Sequence, residues 1–220
     1  LSEENLILFQ FFLGYNKTAY DANITLGYIQ KMAQLETELT GKFLVAMPDM
    51  TDDGFAKSVI YLCSHGSEGT MGFIINQKLK DFSFSDLAVS LPEEDQMIRI
   101  NSMWLYQGGP LEKIRGFVLH SSDYRKRGTF SVDPSVSVSS SLDILTDIAS
   151  GHGPKEQLIA MGYSGWEPMQ LEHELLENRW LVAPSNPDLL FRTPDELKWE
   201  RAMDESHVDL MRFVPLTGSA

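Results

Sequence analysis

Gly162-Tyr163-Ser164-Gly165-Trp166 sets a serine between glycines where a predicted strand gives way to a predicted helix. A nucleophile elbow would occupy that place. The elbow needs Gly-x-Ser-x-Gly, because its strained turn crowds backbone on both sides of the serine, and Trp166 stands at the last glycine position. The residues favour a tight β-to-α turn with a small Ser164 and Trp166 as a core anchor, over Ser164 as a nucleophile with His120 as its base. His173-Glu174-Leu175-Leu176-Glu177 begins like a zinc-protease helix. That motif needs a second His four residues on, so that both imidazoles share one face. Glu177 stands there, and the acids read as a solvated helix face. Asp49, Asp52, Asp53 and Gly54 resemble the start of a calcium loop. Thr51 interrupts the carboxylate rhythm and Ile60 replaces the bidentate Glu, so a turn at a strand end is the better reading. Gly108-Gly109-Pro110 and Gly151-His152-Gly153-Pro154 are too short to cradle a phosphate. They mark backbone that must turn sharply or approach something closely, more often another strand than a ligand.

Cys63 is the only cysteine. It lies late in an apolar run, on the same face as Val59, Tyr61 and His65. A thiol beside an imidazole can be a nucleophile or a redox sensor. In such a strand a free cysteine more often acts as a small buried hydrophobe.

The elements that must position these groups follow from apolar pattern and turn residues. Strands are expected over Lys42 to Met47, Ser58 to Ser64 and Met71 to Asn76, with a Gly-punctuated hairpin loop from His65 to Gly69. The second and third are apolar on both faces, so helices must cover them. Ser83 to Leu91 reads as a short helix capped by Ser83 and stopped by Pro92. Strands follow at Trp104 to Gln107 and Arg115 to His120, and Thr129 to Val132 with Val136 to Ser139 alternate as a half-exposed hairpin does. The second half is more helical. Ser141 caps a helix through Ile148, a strand spans Gln157 to Met161, a helix spans about Pro168 to Asn178, and Trp180 to Ala183 is a short strand. Thr193-Pro194-Asp195-Glu196 combines an N-cap Thr, a Pro at the first position and a Glu at the third, opening a last helix with Leu197, Trp199 and Met203.

Composition bounds the partners. The 220 residues are 43% hydrophobic, with 12 Phe, 4 Trp and 7 Tyr, which is enough apolar surface for one domain-sized core. A net charge of −13 opposes direct nucleic-acid binding, which requires clustered Lys and Arg. The densest basic cluster, Arg125-Lys126-Arg127, sits in a predicted loop without support. One cysteine forbids an internal disulfide, and no run approaches the roughly 20 apolar residues of a membrane span, so the expected place is the cytoplasm. Leu6 to Leu13 is as apolar as a signal-peptide core. Glu3 and Glu4 stand where basic residues should, however, and no cleavage pattern follows. Residues 1–40 are therefore expected to be a docking or poorly ordered extension, and 41–220 the domain.

Taken together, these stretches resemble the YqgE/AlgH family of bacterial proteins. The matching segments are Gly41 to Met47, Phe55 to Asn76, Gly108-Gly109-Pro110, Arg115 to His120, Asp143-Ile144-Leu145 and Gly162 to Trp166. Gln170-Leu171-Glu172, Glu174-Leu175, Asn178 and Trp180-Leu181 match as well. The resemblance runs from about Gly41 to His207. It implies an α+β fold in one domain, with a bent, partly barrel-like mixed β-sheet flanked by helices, in a bacterial cytosolic protein. It implies no agreed activity, cofactor or catalytic residue. One branch is named for alginate regulation and labelled a transcriptional regulator; the acidic charge here makes any such role indirect. The chain departs from the family at its end, Leu216-Thr217-Gly218-Ser219-Ala220, where the family usually has Ala-Gly-His-Ala, and at Ser164, which is often Ala in the family.

The function read from the sequence is a non-enzymatic binding or regulatory protein acting through a protein or small ligand, with no cofactor, metal or membrane partner. Its candidate recognition residues are His65, Glu68, Asn76, Arg115, His120, Trp166, Gln170 and Glu172, at predicted strand ends and turns. The alternative is a small hydrolase or transferase using Ser164 or Cys63 with His120 or His65.

Overall fold

The computed structural model describes residues 39–52, 54–83 and 104–206. All of these belong to the compact unit Glu36–Ala220.

Ten strands form one curled, half-barrel sheet: β1 (Phe43–Ala46), β2 (Val59–Gly66), β3 (Gly69–Ile74), β4 (Lys78–Ser83), β5 (Trp104–Gln107), β6 (Leu111–Ser121), β7 (Thr129–Ser131), β8 (Val136–Ser139), β9 (Gln157–Trp166) and β10 (Trp180–Ala183). Among the described residues four helices accompany them: α1 (Leu142–Ala149), α2 (Gln170–Leu176), α3 (Pro187–Phe191) and α4 (Asp195–Glu205). The main path runs β10-β1-β2-β3-β9-β6-β8-β7, with every neighbouring pair antiparallel. β5 joins β9 in parallel, and β4 pairs with β5, so the sheet is mixed as expected.

The apolar runs explain the layers. On β1 and β2, Phe43, Val45, Val59, Tyr61 and Cys63 face one cluster that also takes Phe73, Phe117, Leu119, and Ala202 and Met203 of α4. Phe43, Tyr61, Phe73 and Leu119 are wholly buried. At about 1.5–3 kcal/mol each, they dominate the cohesion of this layer. A second cluster on the other side of β6 and β9 joins Val118, Ile159 and Met161 to Tyr124 and to Ile144 and Ile148 of α1. β6 and β9 are therefore covered on both faces, as parity along a central strand requires.

β9 is the organising strand. Its first half pairs with β5 and β6, and its second half with β3. The crossing needs glycine: a Cβ on Gly108 would sit 2.3 Å from the carbonyl oxygen of Gly162, and Gly162 itself has φ +69°. The two glycine motifs press against each other, so the close approach expected there is to another strand.

Several expectations are corrected. Gly162 to Trp166 continues β9 instead of forming a turn, so no strand-to-helix elbow exists at Ser164. Strand β8 is buried along its length, and only its partner β7 is exposed. Ser83 ends β4, and the helix expected from there to Leu91 lies outside the described residues. Thr193 does not cap α4. Its hydroxyl donates to the Asp188 carbonyl at 2.9 Å and accepts from Arg201 at 2.9 Å, leaving Pro194 at the cap position without a side-chain bond. The α3 turn, capped instead by Asn186, supplies that competing acceptor.

Candidate functional site

The candidate recognition residues separate into one cluster and three isolated positions. His65 on β2, Thr70 on β3 and Trp166 on β9 form a cross-strand row. His65 Nδ1 meets Thr70 Oγ1 at 2.7 Å. The α2 helix follows directly and places Glu172 Oε1 3.4 Å from His65 Nε2, with both side chains buried. That approach is off the hydrogen-bond direction, so Nε2 has charge proximity without a hydrogen bond. Glu174 accepts from the Trp166 indole at 3.0 Å, the Trp180 indole at 2.7 Å and the Gln170 amide at 2.9 Å. Thus His65, Trp166, Gln170 and Glu172 share a corner, and Glu68 lies in the exposed turn beside them. Their polar atoms are directed largely at one another.

The remaining three lie elsewhere. Asn76 accepts from the Val59 amide at 2.9 Å and donates to the Lys57 carbonyl at 2.8 Å, fixing the entry to β2. Arg115 pairs with Glu112 at 3.0 Å on the surface, over the Phe117 ring. His120 is fully buried, with the Tyr124 ring set edge-on to it. Its Nδ1 lies 2.9 Å from the Ser121 carbonyl and must donate, so neutral Nε2 accepts from the Ser139 hydroxyl at 3.0 Å. Burial pushes this imidazole below the ordinary histidine value, and the Ser121 bond offsets only part of that.

The nucleophiles of the alternative reading are sealed in. The Cys63 thiol is 4% exposed and faces the Tyr61 carbonyl, and burial pushes it well above its ordinary range. Ser164 is 1% exposed and donates to the Gly108 carbonyl at 3.3 Å. Neither bonds an imidazole among the described residues. A serine–imidazole pair in the interior, Ser139 with His120, went unrecognised in the sequence; alternation along Val136–Ser139 is its one local signal. Both members are buried, and Thr129 closes the row at 2.9 Å from Ser139. A nucleophile without access cannot meet a substrate.

An accessible polar pocket lies on another side, where β4, β5 and β9 meet the α3–α4 corner. It holds about 330 Å³ and is lined by Lys78, Tyr106, Gln157, Thr193, Asp195 and Lys198, among others. Asp195 accepts from Lys78 at 2.7 Å, Lys198 at 2.9 Å and the Tyr106 hydroxyl at 3.1 Å. Burial alone would raise this carboxyl, but the two ammonium groups outweigh it and hold Asp195 below its ordinary range. Lys198 is 2% exposed and also donates to the Ile75 carbonyl at 2.8 Å. Burial lowers its ammonium, and Asp195 restores only part of the difference. Gln157 presents a buried Oε1 that no group satisfies among the described residues. That oxygen has no accessible surface, and Gln157 stands opposite His120 in the β6–β9 register, so its side chain lies on the face of β9 turned from Leu158, Tyr106 and Lys198. Among the described residues, no three of His, Cys, Asp and Glu gather as metal ligands would.

Comparison with known proteins matches residues 43–211 to a family described as AlgH-like. A UPF0301 protein of Brucella melitensis is 44% identical over 197 residues, covering 87% of this chain and 98% of the relative. One from Mesorhizobium japonicum is 43% identical, covering 83% and 93%. The solution structure of the AlgH protein from Pseudomonas aeruginosa superposes with a TM-score of 0.67 at 37% identity, covering 84% of this chain and 97% of that one. A crystal structure from Corynebacterium diphtheriae, at 23% identity and a TM-score of 0.60, shares the fold.

Proposed function

The chain belongs to the AlgH-like family, and on that footing we propose that it is a non-enzymatic binding protein whose ligand is a small polar molecule. The ligand occupies the pocket lined by Lys78, Tyr106, Gln157, Asp195 and Lys198. The observation that carries this reading is an open polar pocket in which two ammonium groups, Lys78 and Lys198, converge on the Asp195 carboxylate. The volume sits at the small end of ligand sites, about 300–1,000 Å³. Binding rather than catalysis is supported by the burial of Cys63 and Ser164.

Any regulatory role runs through that ligand or through a protein that senses it, since the charge of −13 opposes direct contact with nucleic acid. A cytoplasmic setting belongs to the same proposal. It is consistent with a single cysteine, and no helix among the described residues is long and apolar enough to cross a membrane.

The test is a thermal-shift screen of small polar metabolites against the wild type and Lys78→Met; the Lys78 ammonium is the more exposed of the two in the pocket. Stabilisation of the wild type that disappears in the variant supports the proposal. Stabilisation that survives the substitution, or none from any compound, overturns it.

A further inference from the structure

We propose that the free edge of β7 receives an extended segment of a partner protein, with acidic residues at one end of that segment. The inference is independent of the pocket. β7 closes the main path of the sheet, and among the described residues β8 is its one strand neighbour. The Val132 amide donates to the Val136 carbonyl at 3.0 Å in the same register, so Val132 and Phe130 turn their backbone groups toward β8. Alternation then points the amide and carbonyl of Ser131 outward, and Ser131 is exposed. An incoming strand finds a backbone donor and acceptor there.

The side chains say what kind of strand fits. Phe130 stands opposite Val138, a member of the large core cluster, and two residues from Val132, which packs against the same cluster. It therefore lies on the core face of the sheet. Yet it is 57% exposed, because the sheet ends at β7. An added strand continues that layer with an apolar residue beside Phe130. The charge comes from the segment that leads into β7. Arg115, Arg179, Arg192 and Arg201 each pair with a carboxylate. Arg125 and Arg127 are exposed and have no such partner among the described residues. Lys126 between them is held by Asp147, and the flanking Asp123 already accepts from the Ser121 hydroxyl. The Thr129 amide donates to the Lys126 carbonyl at 3.1 Å, a turn that keeps Arg127 next to the strand. Two unpaired guanidinium groups beside a free edge select carboxylates in whatever adds to it. A second copy pairing through its own β7 does not supply them. Asp133, at the far end of the strand, is already bonded to Tyr61, Ser185 and the Val136 amide.

The test is a fluorescence-anisotropy titration of the full chain with labelled extended peptides in which valine and threonine alternate. One peptide ends in a pair of glutamates, another in glutamines and a third in lysines. The glutamate peptide should bind at least about fivefold tighter than the glutamine peptide, with the lysine peptide weakest. Its affinity should fall as salt rises from about 50 to 300 mM. Arg125→Ser combined with Arg127→Ser should reduce it to the glutamine level. Ser131→Pro removes the outward amide and leaves the ladder to β8 whole, so it should abolish binding at an unchanged unfolding midpoint. Methylating alternate amides of the peptide tests strand pairing without altering the chain: one frame of methylation should abolish binding and the other should not. Indifference to both frames, a glutamate peptide no tighter than the lysine peptide, or no binding by any of them overturns the proposal. A thymidine oligonucleotide that binds through Arg125 and Arg127 more tightly than the glutamate peptide also overturns it, and assigns those arginines to nucleic acid.

Discussion

Replacing Lys198 with methionine removes a charge that the fold holds almost wholly out of water. The ammonium donates to the Ile75 carbonyl at 2.8 Å and to Asp195 at 2.9 Å, and lies 5.3 Å from the centre of the Tyr106 ring. Methionine keeps the stem and its packing, so the loss is electrostatic. Breaking one side of a buried ion pair costs about 3–5 kcal/mol. Here Asp195 keeps Lys78 and Tyr106, and an ammonium no longer has to be desolvated, so the loss falls at or just below the bottom of that range, about 2–3 kcal/mol. For a chain of this length each kcal/mol moves the melting temperature by about 2–4 °C, and the variant should melt about 4–12 °C below the wild type. Urea unfolding at neutral pH gives the free energy directly. The double variant Lys198→Met with Asp195→Asn should lose less than the two single losses combined, by about 1 kcal/mol or more. A single loss under about 1 kcal/mol, with additive behaviour in the double variant, would refute the claim that Lys198 and Asp195 form one buried unit.

Glu174→Ala leaves the indoles of Trp166 and Trp180 without their acceptor, and urea melts should show a loss of about 2 kcal/mol or more, with Glu174→Gln intermediate. The Cys63 thiol should not react with a disulfide reagent at pH 8 in the folded chain, and should react fully once guanidinium unfolds it. For His120 the folded-state proton affinity is lowered, so the unfolded chain binds more protons below the ordinary value of 6.5. Its contribution to stability is therefore present above that pH and lost as pH falls toward the folded-state value. Unfolding free energies measured across that range should decline on acidification, and His120→Gln should flatten the decline.

Much of the fold was legible because its signals are local. The runs Phe43–Ala46 and Val59–Cys63 are apolar at every position, which only a doubly covered strand explains. The glycines of Gly108-Gly109 and Gly162 announce close backbone contact, and it is with each other. β4 was not recognised, because Lys78–Ser83 mixes charges into a strand that pairs only with β5. The five residues of α3 are too few to show a helical period.

The corner of His65, Trp166, Gln170 and Glu172 was partly readable, since its members flank the matching glycine and tryptophan motifs. The pocket was not. Lys78 reaches it from β4, Tyr106 from β5, Leu158 from β9 and Lys198 from α4. The parallel pairing of β5 with β9 and the docking of α4 through Trp199 to the Ala46 carbonyl bring them together. No spacing along the chain encodes that meeting. Sequence reading also places Thr193 at a cap, because its neighbours fit one; the Asp188 carbonyl, brought close by α3, takes the hydroxyl instead.

A crystal structure of the chain grown with its tightest small ligand tests the binding assignment most directly. The account predicts an unaltered ligand between β9 and the α3–α4 corner, with an acceptor on Lys78. Density for the ligand at any other place, or for a chemically changed product, would contradict it.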